Sequence, residues 1–143
     1  MIQRMQTIWL LLAAVLAFAG LKFSVYSGNI MQELTQQSGL KIFQEINGMY
    51  HWGLNISTVA TGVLALVSIF MFRNRKLQIR FCWITILLEI AVLLQYYFAV
   101  KKFAEGNISL TALIQPAILF ALIMAISGIR KDEKIISESD RLR

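Results

Sequence analysis

Residues 83–97 read WITILLEIAVLLQYY, an apolar run interrupted by a single carboxylate, Glu89. The run lies within an apolar segment of about 20 residues, 81–100. An α-helix rises 1.5 Å per residue, so this length crosses the roughly 30 Å hydrocarbon core of a bilayer. Because the apolar residues are continuous and do not alternate with polar ones, the segment does not match a transmembrane β-strand. The sequence therefore predicts a membrane helix that contains an acidic residue.

Three further segments have the same length and character, at residues 7–26, 50–72 and 108–128. The whole chain is 57% hydrophobic and 15% charged, whereas soluble domains are about half apolar and about a quarter charged. Its 143 residues fit one domain. We predict an all-α fold: a polytopic membrane protein whose single domain, residues 1–143, is an antiparallel bundle of four transmembrane helices.

The first segment has a second interpretation, because its start resembles a secretory signal peptide. A short basic N-terminus precedes the apolar run, and AFAG at residues 17–20 fits a cleavage site after Ala19. The apolar character continues through Phe23, Val25 and Tyr26, which makes the segment long enough to span. We therefore expect it to be retained as the first membrane helix.

Basic residues are distributed unevenly between the two ends of the predicted helices. The end with the N-terminus, the 73–80 connection and the tail carries ten of the 14 Lys and Arg residues. The positive-inside rule therefore predicts that both termini are cytoplasmic. Aromatic residues fit as interface anchors, with Trp9, Phe72 and Trp83 towards the inside and Tyr26, Tyr50, Trp52, Tyr96 and Tyr97 towards the outside.

The connections differ in length. The 73–80 and 101–107 segments are short, so the helices that they join should be antiparallel neighbours. The outer loop, 27–49, is longer and partly apolar, so we expect it to pack on the helices or on the lipid surface. Its pattern fits either a short hairpin or an interfacial helix. The cytoplasmic tail covers residues 129–143.

Three segments together resemble a known family: the opening MIQRMQTIWLLLAA, the connection FRNRKLQIR and the closing GIRKDEKIISESDRLR. The chain is similar over its whole length to small bacterial inner-membrane proteins that are catalogued as a domain of unknown function and found mainly in Bacteroidota. The resemblance implies four transmembrane helices and a place in the bacterial inner membrane. It implies no activity and no catalytic residues.

Glu89 lies near the middle of the third helix, where an acidic side chain costs about 2.5–3.5 kcal/mol on insertion scales. It should face protein or water and stay protonated, able to donate one hydrogen bond. Thr85 and Tyr96 fall on the same helical face, and Thr61 lies at a similar depth on the second helix. Glu89, Thr85 and Thr61 form a candidate intramembrane polar site. Two interpretations remain open: a carboxyl that binds protons or cations, or a hydrogen bond between helices, worth about 0.6 kcal/mol on average.

A candidate outer polar layer consists of Asn55, Gln95 and Gln115, which lie at comparable depths near the outer surface. Each amide has both donors and acceptors, so the three could bond one another and hold helices together, or contribute to a substrate site. Small residues recur every four positions and indicate close helix packing. They are Gly53, Ser57, Thr61 and Ala65 on the second helix and Ala117, Ala121 and Ala125 on the fourth.

The tail is strongly charged but nearly balanced in sign. Its candidate anchoring or docking residues are Arg130, Lys131, Lys134, Asp140 and Arg141. The basic residues could hold the fourth helix at anionic headgroups, and the tail as a whole could dock a cytoplasmic partner.

Several classes of function are disfavoured. Cys82 is the only cysteine and His51 the only histidine, which disfavours a disulfide or a zinc site. No phosphate-binding loop, HExxH pair or nucleophile elbow occurs in the sequence. The basic residues lie in clusters between apolar runs, which argues against nucleic acid. We therefore expect no enzymatic activity, no cofactor and no metal.

Two functions remain. The favoured one is a non-enzymatic accessory or scaffold protein that acts through helix packing and its cytoplasmic tail. Its partners are the lipid bilayer, a membrane or cytoplasmic protein, or further copies of the chain. The alternative is a small ion-coupled transporter or permease that uses Glu89.

Overall fold

The structure, a computed structural model, describes residues 3–30, 42–103 and 105–141. It contains four α-helices: α1 (Gln3–Ala19), α2 (Trp52–Phe70), α3 (Arg75–Val100) and α4 (Ile114–Arg141). Three short strands accompany them: β1 (Tyr26–Ile30), β2 (Ile42–Ile46) and β3 (Glu105–Ile108). A 3₁₀ turn, Leu110–Leu113, leads into α4. The all-α prediction is therefore right for the helices and incomplete for the strands.

The helices close into a ring, in which α1 packs against α2 and α4 and α3 packs against the same two helices. The strands fix the helix directions, because β1 follows α1, β2 precedes α2, and β3 lies between α3 and α4. Their pairing gathers these helix ends at one end of the molecule, here called the sheet end. Chain-neighbouring helices are consequently antiparallel. The opposite end, where residues 71–74 join α2 to α3, is called the turn end.

Three helices are long and apolar enough to cross a membrane: α2, α3 and the helix that includes α4. The first differs from the prediction, because α1 has 17 residues and ends at Ala19, whereas the predicted span continued to residue 26. Its length is about 25 Å. Apolar character alone does not distinguish a helix from a strand. Tyr26 begins β1, which pairs with β2 and β3 and so does not continue the helix.

The strands form an antiparallel sheet in the order β2-β1-β3. Tyr26 lies opposite Ile46 of β2 and Ile108 of β3, so the sheet joins the α1–α2 connection to the α3–α4 connection. The hairpin interpretation of the outer loop agrees with the β1–β2 pairing, whereas residues 31–41 of that loop lie outside the described part of the chain. The α3–α4 connection, predicted as a simple turn, supplies an edge strand.

Two apolar cores stabilise the fold. The larger one joins α1, α2, α3 and α4 and is rich in alanine, including Ala14, Ala17, Ala121 and Ala125. The smaller one lies at the sheet end and contains Ile46, Leu54, Val92 and Tyr96. The predicted small-residue stripes lie at helix contacts, since Ser57, Thr61 and Ala65 are buried on α2 and Ala121 and Ala125 on α4. Small side chains here let the helix backbones approach closely.

The fourth helix extends beyond the predicted span of 108–128 and into the tail, as the tail sequence allowed. It runs without a break from Ile114 to Arg141, through most of the predicted tail. Twenty-eight helical residues extend about 42 Å. The apolar segment and most of the charged tail therefore form one continuous helix.

The sheet depends on two glycines that face each other across β1 and β3, Gly28 and Gly106. A Cβ atom on Gly28 would lie 2.4 Å from the backbone oxygen of Glu105. Backbone atoms cannot move aside as a flexible side-chain tip can. We expect Gly28→Ala to separate β3 from β1 and to reduce the free energy of unfolding by about 1–3 kcal/mol.

Amide hydrogen exchange at β3 in detergent micelles, together with the thermal midpoint, measures this effect. Asn107→Ala is the matched control, because Asn107 is exposed on β3 and its substitution adds no atoms to the strand contact. Unchanged exchange in Gly28→Ala would contradict the proposed role of the glycine pair.

Candidate functional site

Glu89 is buried on α3, with 1% of its surface exposed, and its carboxyl lies beside the Thr61 hydroxyl of α2. The Thr61 hydroxyl donates to the Ser57 carbonyl oxygen at 3.0 Å. A hydroxyl has one hydrogen to donate, so with that hydrogen on Ser57 it is an acceptor that faces Glu89. This arrangement suits the protonated acid expected from the sequence.

Thr85 is fully buried one turn before Glu89. Its hydroxyl donates to the Phe81 carbonyl oxygen at 2.8 Å, within its own helix. The structure thus brings Glu89 and Thr61 together, whereas the Thr85 hydroxyl is satisfied by backbone. Of the three predicted residues, Glu89 and Thr61 therefore form one buried polar pair between α2 and α3.

Some buried polar atoms near the sheet end have no hydrogen-bond partner. They are Glu89 Oε1, the Tyr96 hydroxyl and both amide atoms of Gln115. Tyr96 is also close enough to Glu89 for an electrostatic interaction. An unpaired buried polar group costs about 1–3 kcal/mol, so these positions are the costliest polar sites of this region.

Tyr96 was predicted to be an outer interface anchor, and this prediction is wrong. Its side chain is 4% exposed and belongs to the sheet-end core, whereas neighbouring Tyr97 is 56% exposed. The Lys101 ammonium lies 4.6 Å from the Tyr97 ring centre. The two adjacent tyrosines point to different sides of the helix, and Tyr96 lies on the buried face that it shares with Thr85 and Glu89, as its spacing predicted.

The predicted outer amide layer is only partly formed. The Gln95 side-chain amide donates to the Ser57 hydroxyl at 3.2 Å, which links α3 to α2. Gln115 makes none of the predicted bonds to the other amides, because both its amide atoms lack partners. It lies beside Gly20, which directly follows α1, on a different helix pair from Gln95. Asn55 is half-buried on α2.

A polar pair at the turn end was not predicted. The Gln6 side-chain amide of α1 donates to Asp132 Oδ2 of α4, and both side chains are buried. Asp132 lies within the predicted tail, where its charge suggested exposure. Helical periodicity could have revealed it, because Ala121, Ala125, Ile129 and Asp132 follow one face of α4 at spacings of four, four and three.

A cavity of about 640 Å³ opens beside this pair, at the turn end. Its walls are residues 6–8 of α1, Ile69 and Phe70 of α2, Phe72 of the turn, and Arg75 and Gln78 of α3. We call it the turn-end cavity. Arg75 Nη1 is buried without a hydrogen-bond partner, whereas the Gln78 amide donates to the Ser68 carbonyl oxygen at 3.0 Å.

The predicted tail residues divide between two faces of α4. Arg130, Lys131 and Lys134 are exposed, whereas Asp132 between them faces α1. The side chains of Asp140 and Arg141 lie outside the described part of the structure. Within the described ranges, no group of three His, Cys, Asp or Glu residues is placed to hold a metal ion.

Comparison with known families matches residues 2–142 to DUF4293, a domain of unknown function. The match covers nearly the whole chain, so the chain belongs to this family. The predicted membership of an unknown-function family is confirmed. No curated protein and no solved structure matches the chain.

We expect Asp132→Ala to destabilise the α1–α4 contact, because it leaves the buried Gln6 amide without its acceptor. The cost of an unsatisfied buried donor is about 1–3 kcal/mol. Thermal unfolding in detergent micelles measures it. Glu133→Ala removes a neighbouring, less buried carboxyl and is the control. Equal stability of the two variants would contradict a structural role for the Gln6–Asp132 pair.

Proposed function

We propose that this member of the DUF4293 family is a multi-pass protein of the bacterial inner membrane and a non-enzymatic scaffold that works through its packed helices and its cytoplasmic tail. Support for membrane insertion comes from the outer surface of the helices. Large apolar side chains are exposed on all four helices, including Leu11, Val63, Leu87 and Phe120. In a bilayer these side chains would contact lipid, whereas in water they would form a large exposed apolar surface.

The proposed arrangement is a bundle of four transmembrane helices with both termini in the cytoplasm. The turn end holds the α2–α3 turn, the start of α1 and the end of α4, where ten of the 14 basic residues occur in the sequence. The positive-inside rule favours this end as the cytoplasmic one. The sheet end would then lie outside. At about 25 Å, α1 is shorter than the hydrocarbon core, a mismatch that local thinning of the bilayer can accommodate.

The observation that carries the scaffold proposal is the continuity of α4. The helix passes from its apolar part into the charged segment without a break, and Ile129 and Asp132 hold that segment against the other helices. Arg130 and Lys131 remain exposed on the same turns. A rigid basic surface at the end of a membrane helix suits binding of an acidic partner or of anionic headgroups.

The test is a double charge reversal, Arg130→Glu with Lys131→Glu, which leaves the buried face of α4 intact. We expect affinity purification of the wild-type protein in mild detergent to recover a stoichiometric partner protein, and the variant to lose it. Lys101→Glu with Lys102→Glu is the control, because both residues are exposed at the sheet end. Recovery of the chain alone, or equal partner binding by the wild type and the double charge-reversal variant, would contradict the scaffold proposal.

A second candidate function, ion-coupled transport, is favoured by one observation: Glu89 Oε1 is buried without a partner, and the unpartnered Tyr96 hydroxyl belongs to the same region. Intramembrane acids commonly mark proton or ion paths. Glu89 lines neither the turn-end cavity nor two cavities at the sheet end, and it is 1% exposed. Transport would therefore require a state in which α2 and α3 separate.

For transport, we expect Glu89→Gln to abolish substrate-dependent proton flux in proteoliposomes while the fold is kept, since glutamine preserves shape and can still donate to Thr61. For a structural role, Glu89→Gln is tolerated and Glu89→Leu alters helix association. Proton flux with a panel of substrates, measured beside the thermal midpoint, separates the two. Glu133→Gln is the control for a carboxyl outside the apolar part of the helices.

A further inference from the structure

The turn-end cavity combines two kinds of wall. Ile8, Ile69 and Phe70 form an apolar side, and Phe70 is 78% exposed at the rim. Gln6, Arg75 and Gln78 form a polar side. A ligand that satisfies both must have an apolar part and a polar or charged part.

The charge of the polar side is positive. Arg75 Nη1 is buried and has no hydrogen-bond partner, which leaves a guanidinium donor unsatisfied. The side-chain amide nitrogens of the two glutamines in the wall are engaged, because Gln6 donates to Asp132 and Gln78 to Ser68. The guanidinium fork matches phosphate geometry and forms strong charge-assisted bonds with it. Arg75 is therefore the group that would select an anion.

The position of the cavity fits a lipid. Arg75 opens α3 directly after the turn, between the basic residues Arg73 and Lys76, at the end that the proposed orientation assigns to the cytoplasmic leaflet. This leaflet carries anionic headgroups. An acyl chain would lie along Ile8 and Phe70, which are exposed on the surface that faces lipid in the proposed arrangement.

We propose that the turn-end cavity binds one anionic phospholipid, with its phosphate at Arg75 and an acyl chain against Ile8, Ile69 and Phe70. The inference rests on the membrane placement in the proposed function and not on the scaffold role. It adds a ligand site that also joins α1 to the start of α3, two helices that lie across the ring from each other. A bound lipid would thus stabilise the turn end.

The test uses the full chain in nanodiscs that contain equal amounts of dioleoyl phosphatidylglycerol and dioleoyl phosphatidylethanolamine. After mild release, native mass spectrometry counts the lipids that stay bound. We expect one phosphatidylglycerol to be retained in preference to phosphatidylethanolamine. Arg75→Gln should weaken its retention about tenfold or more, the effect of removing one charged hydrogen bond. Arg75→Lys, which keeps the charge without the fork, should fall between the two.

Two matched controls separate a built site from general attraction. Arg73→Gln removes the same charge from an exposed neighbour outside the cavity and should leave retention unchanged. Ile8→Trp fills the apolar side and leaves every charge in place, so it should also release the lipid. Val15→Trp adds the same ring at an exposed position of α1 outside the cavity wall and should not.

Four outcomes would overturn the lipid site while leaving membrane placement intact: equal retention of the two lipids, equal effects of Arg73→Gln and Arg75→Gln, no effect of Ile8→Trp, or displacement of the lipid by inorganic phosphate at similar concentration. The last would identify a phosphate site without an acyl-chain component. Retention of a second copy of the chain in place of lipid would also overturn it. Failure of the wild-type chain to enter nanodiscs would instead contradict the membrane placement itself.

Discussion

The contact between the first and the last helix is the interaction on which the rest of the fold depends. Only this contact closes the ring, because the other helix pairs are neighbours in sequence. It is built from alanines, which bring the α1 and α4 backbones together, and from a polar residue near each end. Gln6 packs over Gly128 and bonds Asp132 at the turn end, and Gln115 lies against Gly20 at the sheet end. The Gln6–Asp132 bond is directional and fixes the register of α1 against α4 at the turn end.

Polar groups inside the helices fall into two kinds. The hydroxyls of Ser57, Thr61 and Thr85 donate to backbone oxygens of their own helices, and the Gln78 amide donates to a backbone oxygen of α2. Glu89, Tyr96, Gln115, Arg75 and Asp132 keep at least one buried atom without a partner. Each such buried atom is costly, so the second kind marks the places where function is to be sought.

Hydropathy and periodicity predicted the helix content, three of the four long apolar helices and the burial of Glu89 beside Thr61. They failed where a long-range partner decided the outcome. The end of α1 depends on strands contributed by two distant connections, and the burial of Asp132 depends on Gln6, 126 residues away. None of these partners is visible in a local window of sequence. The Arg75 cavity was beyond sequence analysis for the same reason, since its walls come from three helices.

The sheet has a mechanical consequence. It ties the α1–α2 connection to the α3–α4 connection by paired backbones, and a slip of one residue would turn every strand side chain to the opposite face. Sliding of one helical pair along the other must therefore break the sheet first. Residues 71–74 join α2 to α3 at the opposite end, so the two helical pairs are held together at both ends of the bundle.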